Sequence, residues 1–530
     1  MPARCLPPAE HRVVVIGAGI AGLVSALLLA ARGLQVTVVE AADGPGGKMR
    51  PIEIDGLPVD AGPTVFTMRW VFDELLQEVG SSVKAALPPL QPLSVLARHA
   101  WRADGARLDL LADRQASAEA IAAFSTPAEG RRYLAFCDEA ARVYRRLEGP
   151  HIRSARPNFL QMVADLGPSG LATLAGLGPF ATLSGALSRR FTDPRLQQLF
   201  GRYSTYCGAS PGLAPATLML VAHVEQEGVW AVQGGMAALA RALEALVRSK
   251  AGQVRYGERC AGIEVREARV RGVRLASGEV LPADSVVFNG DASALAGLLD
   301  DPARPAAPRP VPPRARSLSA VTWAMRAHTQ GFPLARHNVF FDEDYASEFE
   351  DIFRHRRLPR RGTVYLCAQD RLDDSAGPTG PERMLMLVNA PADGDERDFE
   401  DAETEACEKR CWKLLEDCGL QVDLSQRLRI VRRTPAAFHR LFPSSGGALY
   451  GAATHGWMAL FRRPEAATPV PGLYLAGGSV HPGPGVPMAA MSGRLAAATL
   501  MARLDSTRRS SRVLISGGTS MPSATTAGTP

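Results

Sequence analysis

The stretch Val13-Val-Val-Ile-Gly17-Ala-Gly19-Ile-Ala-Gly22, which continues through an apolar helix to Val36-Thr-Val-Val-Glu40, decides the fold. β-Favouring residues run directly into glycines, so a strand must end and a helix begin at this turn. Gly17 permits the tight turn, Gly19 lets backbone amides approach a pyrophosphate, and Gly22 lets helix and strand pack closely. The helix N-terminus adds partial positive charge. Glu40 follows about 20 residues on, where a dinucleotide fold places its ribose-binding carboxylate. Strand, glycines, helix, second strand and acid come in order, which an ordinary glycine-rich turn with a surface Glu does not require.

Beyond Glu40 lie a second glycine pair, Gly46-Gly47, then Lys48-Met-Arg50 and Asp60-Ala-Gly62-Pro63-Thr64. Glycines again allow close approach, and Lys48 or Arg50 supplies charge for a phosphate. This segment resembles the flavoprotein oxidoreductases of amine oxidase and carotenoid desaturase architecture. The resemblance implies that Gly46, Gly47 and Lys48 run along the pyrophosphate and ribityl chain of FAD; Lys48 stands where that superfamily usually has Arg. It also implies that backbone at Cys260, within Arg259-Cys260-Ala-Gly262-Ile263, faces the adenine.

Near the C-terminus, Pro471-Gly-Leu-Tyr-Leu-Ala-Gly477-Gly478-Ser479 reads as a last short strand, and His481-Pro-Gly483-Pro-Gly485-Val486-Pro487 as a constrained loop. A helix from Met488 to Leu504 follows. By the same resemblance, Gly477, Gly478, Val486 and Met488 close the flavin end, with the helix dipole directed at the ring or ribityl chain. Gly478 and Ser479 replace the acid that many amine oxidases carry here, which points away from amine oxidation.

Bulk properties bound the rest. The chain has 530 residues, 46% of them hydrophobic, and a net charge of +6, enough for two or more packed units. Its eight cysteines, at 5, 137, 207, 260, 367, 407, 411 and 418, lack CxxC or CxxH spacing, so neither a metal site nor a disulfide framework is expected. A basic balance without a Lys/Arg run or a reader module points to an anionic membrane surface and not to nucleic acid. Leu166 to Ser188 carries no charge but is broken by Gly167, Pro168, Gly170, Gly176, Gly178, Pro179 and Gly185. It cannot span; it either lies in the membrane interface, flanked by Arg189 and Arg190, or forms a buried helical pair lining a pocket. No signal-type apolar core precedes the first strand, so the expected location is cytoplasmic and peripheral on the inner face of the membrane.

The predicted fold class is α/β, a Rossmann-type FAD-binding domain interleaved with a mixed α+β substrate domain. A leader covers 1–12. The FAD-binding parts are 13–65, 226–300 and 446–505. The substrate parts are 66–225, read as mostly helical and containing the 166–188 segment, and 301–445, which opens on the proline-rich Pro302 to Pro313. The Ser/Thr/Gly-rich tail, 506–530, is expected to be disordered.

A narrower resemblance rests on Gly62-Pro63-Thr64-Val-Phe66-Thr, Gly228-Val-Trp230, Leu449-Tyr450-Gly451 with His455-Gly456-Trp457, and Gly478-Ser-Val-His481-Pro-Gly483-Pro-Gly485-Val-Pro487. Together these look like the bacterial carotenoid desaturases. Thr64 to Trp70 and Tyr450 to Trp457 are most similar to the branch acting on hydroxyneurosporene and methoxyneurosporene in purple bacteria. That implies FAD-dependent 3,4-desaturation of acyclic 1-hydroxy or 1-methoxy carotenoids, with oxygen or a quinone as electron acceptor.

Such chemistry asks for orientation, a dry apolar channel and one modest base or a water, since the polyene spreads its own positive charge. The base candidates are His455, His481, Glu225 and Tyr450, each with a plain structural reading: His481 capping a loop, Glu225 pairing with an arginine, His455 and Tyr450 in the core. Phe66, Trp230 and Trp457 are candidates for the polyene tunnel, although aromatics beside glycines commonly serve as core. The rivals are a phytoene desaturase, a flavin-dependent isomerase or amine oxidase, and a non-catalytic prenyl-lipid carrier. The intact Gly17/Gly19/Gly22, Glu40 and Gly46/Gly47 set argues against the carrier.

Overall fold

The computed structural model describes residues 10–157, 180–372, 377–423 and 430–516, with side chains to 507. Strand β1 (Arg12–Ile16) leads through the glycine turn into helix α1 (Ile20–Ala31) and returns as β2 (Gln35–Val39). The chain later adds β3 (Gln253–Arg255), β4 (Ser285–Phe288) and β5 (Leu473–Leu475) to the same sheet. All pairings are parallel, in the order β5-β4-β1-β2-β3. The Val-rich strands follow from this position, since a parallel sheet covered on both faces buries both sets of side chains.

Helix α1 is buried from Ile20 to Ala30, between α2 (Met236–Ser249) and α3 (Val486–Ser516). Leu23 and Leu27 share a core cluster with Leu239 and Leu243 of α2 and Ala490 and Ala496 of α3. Burying each such Leu contributes about 1.5–3 kcal/mol. Where α1 and α3 cross, a Cβ on Gly493 would fall 2.4 Å from the Ala21 carbonyl, and Ser25 Oγ donates to the Gly493 carbonyl at 3.0 Å.

The second body is a seven-stranded sheet in the order Ile430–Arg433, Ser319–Ala327, Glu382–Ala390, Val364–Ala368, His337–Phe341, Val95–Trp101, Arg107–Leu111. Only the His337–Phe341 and Val95–Trp101 pair is parallel. Two of these strands fall within 66–225, whose described residues are otherwise mostly helical: Val95 to Trp101 crosses a sheet, and its apolar residues pack on both faces. Of the 166–188 segment, residues 166–179 lie outside the described residues. Its last turn, Leu183–Ser188, buries Leu183, Ala186 and Leu187 in the core with Phe191, and Arg190 pairs with Glu139. That end is core, not membrane interface. The tail also departs from expectation, because α3 continues through 506–516; an existing helix adds a hydrogen bond for each further residue it fixes.

Candidate active site

The glycine turn is held by one side chain from β4's end. Gly17, at φ +100°, donates to the Val39 carbonyl at 2.8 Å. Gly22 N–H donates to Asn289 Oδ1 at 2.9 Å, and Asn289 Nδ2 donates to the Ala476 carbonyl at 3.0 Å. A Cβ on Gly22 would lie 2.1 Å from the Gly17 carbonyl, so Gly22 serves packing beneath the turn. Glu40 Oε2 accepts from Ala18 N–H at 2.8 Å and Oε1 from Ala42 N–H at 2.9 Å. The carboxylate thus braces the turn with lone pairs still available to a ribose. The second glycine pair stacks backbone to backbone on the first: Gly46 N–H donates to the Ala18 carbonyl at 2.9 Å, and a Cβ on Gly47 would stand 3.2 Å from Gly19 Cα.

One cavity of about 890 Å³ begins at this cradle and runs into the second body. Gly17, Gly19, Glu40, Gly46, Gly47, Lys48 and Cys260 line one part, Gly477, Gly478, Val486 and Met488 the middle, and Thr64, Tyr206, Glu225, Tyr365 and Leu387 the rest. Cβ-free backbone, a ribose acid and amides at a helix start fit a flavin-bearing dinucleotide. Lys48 also lines the cavity. Its ammonium donates to the Leu449 carbonyl and lies 5.4 Å from the Phe442 ring centroid, with burial lowering its pKa. It finds a buried carbonyl partner there; Arg50, 3.9 Å from Glu40, and Arg259 also line the cavity.

The base candidates separate. Glu225 and Tyr450 line the cavity. Glu225 accepts from Tyr203 and Tyr206 hydroxyls at 2.8 and 2.7 Å, so its partners are tyrosines. Burial pushes the Tyr450 hydroxyl up to about 12. His455 and His481 are absent from the wall. His455 Nε2 accepts from Ser210 N–H at 3.0 Å, with its ring 4.7 Å from that of Phe353. His481 Nε2 donates to the carbonyls of His151 and Ser154 at 2.9 and 3.0 Å. Both are pinned, and burial holds both near pKa 4.

The tunnel aromatics are not on the wall either. Phe66 is fully buried beside Phe72 and Trp230, and Trp230 folds its ring over Gly228, where a Cβ would meet it at 2.5 Å. Trp457 is 43% exposed and packs edge-on to Phe180. The wall is instead built by sheet residues such as Tyr365, Leu385 and Leu387 and helix residues such as Leu220 and Val224.

Sequence reading missed three residues. Asn289 had a signal, a polar residue at the C-terminal end of a parallel strand, where such folds place ligand contacts. Arg463 had none. It is buried on the wall and donates to the carbonyls of Tyr450, Gly478 and Ala452 and to Thr454 Oγ1, at 3.0 to 3.3 Å. Burial lowers its pKa, against the opposing influence of Cys207 and Asp291. His151 also lines the cavity, and neither ring nitrogen has a partner among the described residues. Burial, then the neighbouring His481 and Arg463, holds its pKa near 3, so it is neutral with a free lone pair.

The model of the flavin-containing amine oxidoreductases matches residues 20–501, and the chain belongs to that family. Within it, the chain is 64% identical over 524 residues to the hydroxyneurosporene desaturase of Rubrivivax gelatinosus, covering 98% of this chain and 99% of that one. It is 43% identical over 500 residues to the protein of the same name from Cereibacter sphaeroides, covering 94% and 99%, and 29% identical to a 4,4'-diapolycopene oxygenase from Methylomonas sp, covering 93% and 99%. Wild-type putrescine oxidase bound to putrescine superposes with a TM-score of 0.58 at 16% identity, covering 94% of this chain and all of that one, a likeness of fold alone.

Proposed function

We propose that the protein is an FAD-dependent desaturase of acyclic carotenoids that introduces the 3,4 double bond into 1-hydroxy or 1-methoxy substrates. The observation carrying this reading is the near full-length 64% identity to a hydroxyneurosporene desaturase. A cavity that runs from a dinucleotide cradle into apolar space supports it. Bound along Gly17, Gly19, Glu40, Gly46 and Gly47, FAD supplies the acceptor for a hydride, with oxygen or a quinone as the final oxidant. The chain's residues orient the polyene and exclude water, while the conjugated substrate spreads the resulting positive charge. The adjacent C–H is then strongly acidic, so the neutral His151 imidazole, weak as a base, suffices to take its proton.

The protein works at a membrane surface in this reading, because carotenoids reside in lipid. Phe180, Leu213 and Trp457 are exposed, at 74%, 51% and 43%, in a basic protein. Phe180 meets Trp457, and Leu213 accepts from Gly456 N–H. Among the described residues no helix is long and apolar enough to cross a membrane.

The test is expression in cells making neurosporene, 1-hydroxyneurosporene or phytoene, with identification of the pigment that gains a double bond. Conversion of phytoene alone, or of none, would overturn the reading.

A further inference from the structure

Besides His151, the polar groups on the cavity wall without a partner among the described residues include Arg202 Nε, Thr322 Oγ1 and Tyr345 OH. Arg202 is 9% exposed and Thr322 3%. Buried polar groups are normally hydrogen-bonded, and a cluster of exceptions asks for a ligand. The charge of Arg202 is already met nearby: Nη2 donates to Tyr206 OH at 3.3 Å, and Tyr206 in turn donates to the Glu225 carboxylate at 2.7 Å. What remains open is directional hydrogen bonding without an unmatched charge, which suits a neutral oxygen better than a carboxylate or phosphate.

The Arg202 charge acts on both the Tyr345 and the Tyr365 hydroxyls, which brings the three wall groups to the stretch of wall around Tyr365. The Tyr345 ring stands against Gly201, where a Cβ would be 3.2 Å away, next to Arg202. Thr322 pairs with Leu387, and Leu387 with Tyr365, so the three share one face of the sheet. Tyr365 OH is 2.6 Å from Thr64 Oγ1, two residues past Gly62, whose Cβ position is filled by the Lys48 carbonyl. The 3₁₀ turn Arg202–Cys207 ends beside Tyr450: Cys207's carbonyl accepts from Thr454 Oγ1 at 3.2 Å, and Gly208 abuts the Tyr450 ring.

We infer that Arg202, Thr322 and Tyr345 seat the C1 oxygen of the carotenoid and thereby set C3 and C4, which follow it along the chain by way of C1 and C2, in the reacting position. This rests on the substrate class proposed above. A tertiary hydroxyl has one donor and two acceptor sites. Arg202 Nε–H donates to one lone pair, the substrate's own hydrogen goes to one of Thr322 Oγ1 and Tyr345 OH, and the other of these hydroxyls donates to the second lone pair. A methoxy oxygen accepts but cannot donate. An unsubstituted end leaves the Arg202 N–H without a partner in a dry wall, and such sites discriminate strongly against analogues lacking the polar group.

The experiment compares flavin-loaded wild type, Thr322→Val and Tyr345→Phe on 1-hydroxyneurosporene, 1-methoxyneurosporene and neurosporene presented in liposomes. For the hydroxylated substrate, kcat/KM should fall about tenfold in each variant, in line with one lost hydrogen bond, with a smaller loss for the methoxy compound. Turnover of neurosporene should stay within about twofold. Thr322→Val should melt no lower than wild type, since it removes an unpaired buried hydroxyl. Equal losses on all three substrates, or no loss on the hydroxylated one, overturn the seat. A wild type that converts neither oxygenated substrate overturns the proposed function itself.

Discussion

The Gly22 amide and Asn289 Oδ1, 2.9 Å apart, lock the nucleotide turn of the first βα unit to the end of a strand more than 260 residues later in the chain. The same oxygen lies 2.8 Å from the Cβ positions of both Gly19 and Gly22, so the asparagine takes the space these glycines leave. Asn289→Ala strands the Gly22 N–H and the Ala476 carbonyl. We expect a loss of about 1–3 kcal/mol, read as a fall of several degrees in melting temperature, together with a lower flavin-to-protein ratio. Unchanged flavin content would show that the turn holds its shape unaided.

Arg463 ties the 450–454 loop to Gly478 through carbonyls. Lysine keeps the charge but cannot present a rigid fork to several acceptors. In Arg463→Lys we expect faster hydrogen exchange across 448–456 and faster flavin loss on dilution. Exchange identical to wild type would count against this role.

His151 and His455 should behave oppositely. His151→Phe is expected to lower kcat by about 100-fold with little change in KM, the usual scale for losing a proton acceptor. His455→Asn, off the wall, should retain full kcat if its fold survives. A stopped-flow measurement of flavin reduction separates loss of turnover from loss of binding.

Acid sensitivity follows from five histidines held neutral by burial. His99, His151 and His337 sit near pKa 3, His455 and His481 near 4. An unfolded chain protonates them below about 6.5, whereas the folded protein does not until pH 3–4. The unfolded state therefore gains protons first, so stability is constant in these groups above pH 7 and falls from pH 6.5 toward 4. Replacing His481 by Gln should flatten that slope by about 1.4 kcal/mol per pH unit, measured by denaturant titration at several pH values.

The exposed Phe180 and Trp457 give the membrane reading its test. Phe180→Ser with Trp457→Ser should reduce flotation with anionic liposomes while leaving turnover of detergent-solubilised carotenoid intact. Undiminished flotation would place the membrane contact elsewhere.

Legibility in the sequence followed the range of the interaction. The cradle was readable because each of its requirements is local: strand, φ-positive glycine, helix start and acid fall within 28 residues, Val13 to Glu40. Gly477, Gly478, Val486 and Met488 were expected at the flavin end from the family resemblance, and all four line the cavity. Arg463 acts across the fold on backbone groups that no local pattern announces, Asn289 does so with only its place at a strand end as a signal, and the His151 ring has no partner among the described residues for a pattern to name. The aromatic residues misled because large rings beside glycines serve packing as readily as ligand contact: Trp230 fills the space above Gly228, and Phe66 fills the core behind the wall. Lys48 lies in the motif, but its long side chain reaches a carbonyl some 400 positions away in the sequence.

Helix α3 begins at the cavity with Val486 and Met488 and continues to Ser516. Its 31 residues, at about 1.5 Å each, carry the chain roughly 46 Å along the helix axis from the cofactor. A fluorescent reporter or surface tether joined beyond that point would therefore ride clear of the pigment and the flavin, whereas one inserted just ahead of β1 would press on the sheet that carries both.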